Sequence, residues 1–276
     1  MKKKYVVIGN PIDHSLSPLI HNYWFKKYEI KDSFYEKKKI EEKELPLICE
    51  KIKKEELAGA NITLPFKKSI IPFLDIIETS AKETQSVNTI FKKNGKVIGT
   101  NTDWEGFHSS IEKIIKLKKN NLNEKLLDNI NILILGAGGV TASIIYAFKK
   151  FGGKIFVSNR TQKKAEDLKN LFPDINIIKW GIKPLKCDIV VNTTSIGLNK
   201  GDKINLDFSD YNKNELFFDL IYNPEETNFL KEAKLRGNKT INGKMMFLHQ
   251  AAFAFSYWTN KSPEIDDEVI KLLDND

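Results

Sequence analysis

The stretch ILILGAGGVTAS, residues 132–143, narrows the possible folds of this chain more than any other. Four apolar residues run straight into Gly136, Gly138 and Gly139, and the pattern then turns helical through SIIYAFKKF. Continuous apolar character marks a strand buried on both faces, the kind found in parallel sheets. A second such run, KIFVSN, ends at Asn159, so strand, turn, helix and strand fit within one ~30-residue βαβ unit. Gly136, Ala137, Gly138 and Gly139 make a turn whose backbone can approach a pyrophosphate, at a helix end offering unpaired N–H donors and a favourable dipole. Thr141 stands where a third glycine is usual, with small Ala142 and Ser143 beside it. This predicts an α/β protein with a Rossmann-type dinucleotide-binding domain.

The end of the second strand selects the dinucleotide. An NAD site places Asp or Glu there for the ribose 2′-hydroxyl. Here Asn159 is followed by Arg160, Thr161, Lys163 and Lys164. A carboxylate would repel a 2′-phosphate, whereas a guanidinium, a hydroxyl and amines bind it. The predicted cofactor is NADP.

Elsewhere short apolar runs alternate with helical patterns, which again points to βαβ units. YVVIG and AGANITL read as strands, PLIHNYWFKKY as a helix, and PFKKSIIPFL as the start of another helix. SVNTIFKKNGKVIGTNTD reads as a hairpin turning at Asn94-Gly95. A helical pattern follows through FHSSIEKIIKLKK, then a polar surface connection over residues 118–129, with a domain boundary near residues 103–108. Further strands are CDIVVNTT and ELFFDLIY. GKMMFLHQAAFAFSYW is a long apolar helix, ahead of an amphipathic tail, SPEIDDEVIKLLDND.

Composition removes several function classes. The 44 Lys and Arg outnumber the 36 Asp and Glu, for a formal charge of +8. The lysines are scattered and no basic-aromatic pattern emerges, so nucleic acid is not an expected partner. A positive field does suit small anionic ligands. No apolar run approaches the ~18 residues of a membrane span, and MKKKYVVIGN has too short an apolar stretch for a signal peptide. A cytoplasmic location is expected. Cys49, Cys187 and the four histidines fit no ligand spacing, so no metal site is expected.

The N-terminal half carries a different chemistry. Ser15 and Ser17 lie two residues apart, so in an extended segment their side chains point the same way. Pro18 suits the first position of a helix, which makes Ser17 its N-cap. A positive helix end with two hydroxyls forms a site for a carboxylate. Polar clusters follow at predicted strand ends: Asn61, Thr63 and Lys67 in NITLPFK, Asn88 in SVNTI, and Asn101, Thr102 and Asp103 in GTNTDWEGF. Strand ends are where ligands bind in open α/β sheets, and a lysine and an aspartate there can form a proton-handling pair.

Taken together and in order, these motifs resemble those of the shikimate dehydrogenases. The resemblance runs from SLSP through N-x-T-x-P-x-K, VNT, NTD, GAGG, NRT, NTTSIG and DLIYNPEET to G-x-x-M-x-x-x-Q, nearly the whole chain. It implies NADP-dependent reduction of 3-dehydroshikimate to shikimate, by hydride transfer, with Lys67 and Asp103 as the catalytic pair. It further implies that Ser15 and Ser17 hold the substrate carboxylate, and that Asn61, Thr63, Asn88, Asp103, Tyr222 and Gln250 orient the rest of the substrate. Thr193 and Ser195 would lie in a loop near the cofactor, with Leu220, Gly243 and Met246 bordering the nicotinamide. The implied organisation is an N-terminal α/β substrate domain, residues 1–104, and a Rossmann-type NADP domain, residues 105–238. The C-terminal helices, residues 239–276, return to the first, and the reactive groups meet between the two. Three rivals stay open: a quinate/shikimate dehydrogenase using NAD, another NADP enzyme such as a methylene-tetrahydrofolate dehydrogenase, and a non-catalytic ligand sensor of the same fold. Asn159-Arg160-Thr161 speaks against the first, the serine pair and the Tyr222 motif against the second, and Lys67 with Asp103 against the third. Monomer and homodimer are both open.

Overall fold

The computed structural model describes residues 2–118, 130–183, 187–204, 206–207 and 215–274. The chain divides into two compact units, Met1–Phe107 with Phe247–Asp276, and His108–Met246.

The first unit is built on six strands: β1 (Lys3–Gly9), β2 (Ser33–Lys39), β3 (Gly59–Ile62), β4 (Ile76–Ile77), β5 (Thr89–Lys93) and β6 (Lys96–Thr100). Their order in the sheet is β2-β1-β3-β5-β6-β4. β1 is parallel to β2 and β3, while β5 is antiparallel to both β3 and β6. The hairpin turn falls where predicted, with Asn94 at φ 51° and Gly95 at φ 76°, the paired left-handed conformations of a tight two-residue turn. That reversal brings the start of β5 and the end of β6 to the same sheet edge as the ends of β1 and β3. All the polar clusters of the N-terminal half therefore share one edge.

Helices α1 (Ser17–Lys27), α2 (Leu45–Lys53) and α3 (Thr79–Thr84) belong to this unit, and α4 (Asp103–Lys118) begins in it. α2 packs Leu45, Ile48, Cys49 and Ile52, one helical face, against Val6, Ile8, Ala60 and Ile62 of the sheet. An aromatic cluster forms a second core. His21 of α1 stacks on Tyr35 at 4.4 Å and lies near Trp24, Phe255 and Trp258, with none of its surface exposed. Gly59 accommodates this packing, because a Cβ there would stand 2.3 Å from the Trp258 indole nitrogen.

The second unit holds β7 (Asn131–Leu135), β8 (Lys154–Ser158), β9 (Asn176–Ile178), β10 (Ile189–Asn192), β11 (Leu216–Asp219) and β12 (Lys239–Ile241). The order is β12-β11-β10-β7-β8-β9, parallel throughout. Counted from β7, this is the doubly wound order 3-2-1-4-5-6, with its switch point between β7 and β10. The expected Rossmann-type unit is therefore present, with α5 (Thr141–Phe151) connecting β7 to β8 and α6 (Gln162–Leu171) leading to β9. α7 (Asn228–Leu235) precedes β12; α8 (Lys244–Thr259) and α9 (Asp267–Lys271) complete the chain. Among the described residues no helix is long and apolar enough to cross a membrane.

Two local expectations need correction. PFKKSIIPFL is not a helix: it forms turns and a single 3-10 turn at Ile71–Phe73. Pro72 has no N–H to donate to the Lys68 carbonyl, so a helical ladder cannot propagate through the run. Ser17 is not an N-cap either. Leu16 holds that position without a side-chain hydrogen bond, and Ser17 is the first helical residue. Beyond residue 118, the polar connection expected to residue 129 lies outside the described residues.

Candidate active site

In the first unit the shared sheet edge gathers most of the predicted residues into two hydrogen-bonded groups. Ser15 is set by a turn in which its N–H donates to the Ile12 carbonyl at 3.0 Å. Its hydroxyl donates to Ser17 Oγ at 3.3 Å, so the two hydroxyls do stand together at the N-terminal end of α1. The Ser17 N–H returns to Ser15 Oγ at 3.4 Å, and Tyr35 of β2 begins a second group of contacts. The Tyr35 hydroxyl donates to Asn61 Oδ1 at 2.6 Å, and burial holds its proton well above the usual phenol range. Asn61 Nδ2 donates to the Asn88 carbonyl at 3.1 Å and to Thr89 Oγ1 at 3.0 Å. Asn88 Nδ2 then donates to Asp103 Oδ1 at 2.8 Å, and Asp103 Oδ2 accepts from Lys67 Nζ at 2.5 Å. The Lys67 and Asp103 side chains are only 14% and 9% exposed, so their charges face each other with little water between.

Local chain geometry explains the pairing. Asp103 opens α4, where its N–H donates to Asn101 Oδ1 at 2.9 Å. Lys67 is anchored through its carbonyl, which accepts the Val87 N–H at 2.8 Å and so locks it beside Asn88. Thr63 is half-buried; its N–H donates to the Ile8 carbonyl, and its methyl fills the space that a Cβ on Gly9 would need. Gln250, on α8, folds back to donate to the Phe247 carbonyl at 2.8 Å and joins none of the hydrogen bonds above. Tyr222 belongs to the second unit, half-buried, its hydroxyl pushed up to about 12 by burial. Sequence reasoning missed Tyr35. The one signal for it was an aromatic pair, Phe34-Tyr35, just ahead of four charged residues in SFYEKKK.

The second unit shapes its own edge at the switch point. Gly136 has φ 113° and donates its N–H to the Ser158 carbonyl at 2.8 Å. A Cβ on it would meet Thr193 Oγ1 at 2.6 Å, so only glycine fits this turn. Thr141 puts its hydroxyl to use: Oγ1 accepts the Gly138 N–H at 3.0 Å and lies 2.8 Å from Thr193 Oγ1, which donates to the Leu135 carbonyl. Ala137 is half-buried and Gly138 and Gly139 are exposed. A Cβ on Gly138 would meet only the Thr193 carbonyl, at an ordinary 3.8 Å, so packing within the protein does not demand a glycine there. At the end of β8, Asn159 Nδ2 donates to the Thr161 carbonyl at 2.8 Å, and Arg160, Thr161 and Lys164 are exposed. Arg160 and Lys164 make no side-chain hydrogen bond or ion pair among the described residues. Ser195 is exposed, Leu220 half-buried, and Thr193 and Met246 are buried. Gly243 presses on the Leu220 main chain, where a Cβ would stand 1.9 Å from the carbonyl oxygen.

Comparison with known proteins decides what these arrangements belong to. Residues 7–90 match the shikimate dehydrogenase substrate binding domain. The shikimate dehydrogenase (NADP(+)) of Pelagibacter ubique is 52% identical over 99% of this chain and 100% of its own length. The chain belongs to the shikimate dehydrogenase family. Among solved structures, the Aquifex aeolicus shikimate dehydrogenase is similar at a TM-score of 0.86 and 37% identity, covering 100% of this chain and 98% of that one. The shikimate 5-dehydrogenase of Thermus thermophilus, in complex with NADP(H) and shikimate, reaches a TM-score of 0.83 at 28% identity, covering 99% and 98%.

Proposed function

We propose that this protein catalyses the reversible NADPH-dependent reduction of 3-dehydroshikimate to shikimate, a step toward chorismate and the aromatic amino acids. Family membership supports the reaction. The observation that carries the mechanism is the 2.5 Å Lys67–Asp103 contact at the end of the hydrogen-bonded series that runs from Tyr35 through Asn61 and Asn88.

The residues of the second unit suit NADP. Exposed Gly138 and Gly139 leave the turn open to a pyrophosphate. No carboxylate ends β8, and Asn159, Arg160, Thr161 and Lys164 would hold a 2′-phosphate. Gly136 and Ala137 shape the turn, Thr193 and Ser195 would lie in a loop near the cofactor, and Leu220, Gly243 and Met246 would border the nicotinamide. Bound NADPH supplies the hydride that reduces the ketone carbon. As hydride arrives, the C=O π pair moves to oxygen, and that oxygen takes a proton from the Lys67–Asp103 pair. The Lys67 ammonium stabilises the developing negative charge, and Asp103 holds the lysine in place through Oδ2 while Asn88 fixes its Oδ1. Ser15 and Ser17 would hold the substrate carboxylate at the α1 N-terminus. Asn61, Thr63, Asn88, Tyr222 and Gln250 would orient the substrate's remaining groups.

The test follows nicotinamide absorbance with 3-dehydroshikimate and NADPH, alongside shikimate or quinate with each oxidised cofactor. NADP-restricted turnover of the shikimate pair is expected; equal turnover of quinate with NAD would refute the assignment. Lys67→Ala should lower kcat by about 10²–10⁴ with the substrate KM changed only a few-fold. Near-normal kcat would make the lysine a bystander.

A further inference from the structure

The second unit contains a fully buried carboxylate to which the mechanism gives no task. Asp219 ends β11 with 0% exposure. Its Oδ1 accepts the Asn192 side-chain amide and the Ile221 N–H, both at 3.0 Å, and its Oδ2 accepts the Thr227 hydroxyl at 2.6 Å. These donors come from three separate places: the end of β10, the loop after β11, and the N-cap of α7.

Asn192 passes the constraint on. Its Oδ1 accepts the Thr194 N–H at 3.0 Å and the Thr194 hydroxyl at 2.7 Å, and its Nδ2 also donates to the Ile196 carbonyl at 3.2 Å. Ile196 N–H in turn donates to Thr194 Oγ1 at 3.1 Å. The loop 193–197 is thereby wound around one amide that Asp219 orients. On the other side, the Leu220 N–H donates to the Asn192 carbonyl and the Gly243 N–H to the Ile221 carbonyl, both at 3.1 Å. Thr193, Ser195, Leu220, Tyr222 and Gly243 therefore all stand on segments tied, directly or through one neighbour, to a single carboxylate.

We propose that Asp219 is a positioning residue for the cofactor, its carboxylate setting the two loops that carry Thr193, Ser195, Leu220 and Tyr222. The inference rests on the reading of Thr193, Ser195 and Leu220 as neighbours of the cofactor. Stability alone does not account for the residue. Burial pushes its carboxyl up to about 6 despite three hydrogen bonds pulling it down, so near neutrality the fold carries an ionised group at a cost that an uncharged residue would avoid. Three donors in three segments do account for it, because one acceptor with two oxygens can fix their mutual spacing.

The experiment measures NADPH dissociation constants by fluorescence on the full chain, with steady-state constants for both substrates and the melting temperature. Asp219→Ala should raise the NADPH Kd and KM on the order of ten-fold and the 3-dehydroshikimate KM by clearly less, since of these residues only Tyr222 is read as a substrate contact. Asp219→Asn should recover most of that loss. It keeps one oxygen for Asn192 and Ile221 and offers an N–H to the Thr227 hydroxyl. If Asp219→Ala does not fold, Thr227→Val withdraws one donor from Asp219 along with the cap on the Leu230 N–H, whose loss the melting temperature reports, and carries the same comparison. Wild-type Kd in the folded variants, or an equal rise in both KM values, overturns the proposal. A wild-type protein that binds NADPH without reducing 3-dehydroshikimate refutes the proposed reaction, while the Kd series still judges Asp219. A wild-type protein that does not bind NADPH refutes both.

Discussion

Adding one methyl group at Gly243 should cost more than its size suggests. An ideal Cβ there would lie 1.9 Å from the Leu220 carbonyl oxygen and 2.5 Å from its carbon. Ordinary contact begins near 3.4 Å, so one side must retreat by roughly 1.5 Å. The obstacle is main chain, so no rotamer change relieves it. Leu220 directly follows β11, whose four residues are buried, and Gly243 is tethered to Ile221 by its own N–H. Overpacking costs about 1–3 kcal/mol, and a rigid neighbour on each side places Gly243→Ala near the top of that range. For a unit of this size that corresponds to a fall in Tm of roughly 6–12 °C. Calorimetry on the full chain, paired with an NADPH titration, measures both consequences, since the displaced atom belongs to a proposed nicotinamide contact. Gly138→Ala is the contrast: its Cβ meets nothing closer than 3.8 Å, so Tm should hold while NADPH affinity falls by about ten-fold or more. An unchanged Tm in Gly243→Ala would refute the steric argument, and unchanged affinity in Gly138→Ala would refute the placement of the pyrophosphate.

Three further outcomes follow from charge. Arg160→Ala should raise the KM for NADPH by about ten-fold and leave that for NADH unaltered, and an equal effect on both would remove the 2′-phosphate from the end of β8. Burial lowers the His21 imidazole to about 3, so the folded protein keeps it neutral while the unfolded chain gains a proton below 6.5. Stability is then lost as pH falls through that window, and between pH 7 and 5 wild type should lose roughly 2 kcal/mol more than His21→Leu in urea titrations. The Glu105 carboxyl moves the other way, raised to about 7 by burial and by the charge of Glu78. The folded protein retains that proton while the unfolded chain releases it above 4.5, so stability falls as pH rises toward 7. Glu105→Gln should melt ~5 °C higher than wild type at pH 8 and equally at pH 4.

The features legible in the sequence were those with a strong local cause. β7, the glycine turn and α5 follow from an apolar run that only a buried strand satisfies, and the hairpin follows from Asn94-Gly95, whose left-handed dihedrals few other pairs adopt. β2 was not legible, because charged residues follow its one buried position, Tyr35, and hide the alternation that normally betrays a strand. Tyr35 was missed as a candidate for the same reason. Its place beside Ser17 and Asn61 depends on the pairing of β2 with β1, a contact between distant parts of the chain. The serine pair was legible as a pair but not in its local detail. Pro18 signalled the helix start correctly, while the cap position fell one residue earlier and left the Ser17 hydroxyl to pair with Ser15. Thr141 looked like a defect in a glycine pattern, and only the fold reveals that its hydroxyl braces the turn against Thr193.

The residues that obscured β2 also bear on how copies of the protein behave in company. β2 lies at the margin of its sheet, where backbone groups can recruit a strand from another molecule, and on its outer side the Asn22 amide already occupies the Tyr35 N–H and carbonyl at 2.9 and 2.8 Å. Lys37, Lys38 and Lys39 line its last three positions, two of them exposed. The same strand of a second copy docking there in parallel register would line six ammonium groups along one seam. The opposite margin, β4, is only two residues long, too short to template anything. Crowded in a cell, or concentrated in a tube, such a sheet is protected at both ends from growing into a fibre.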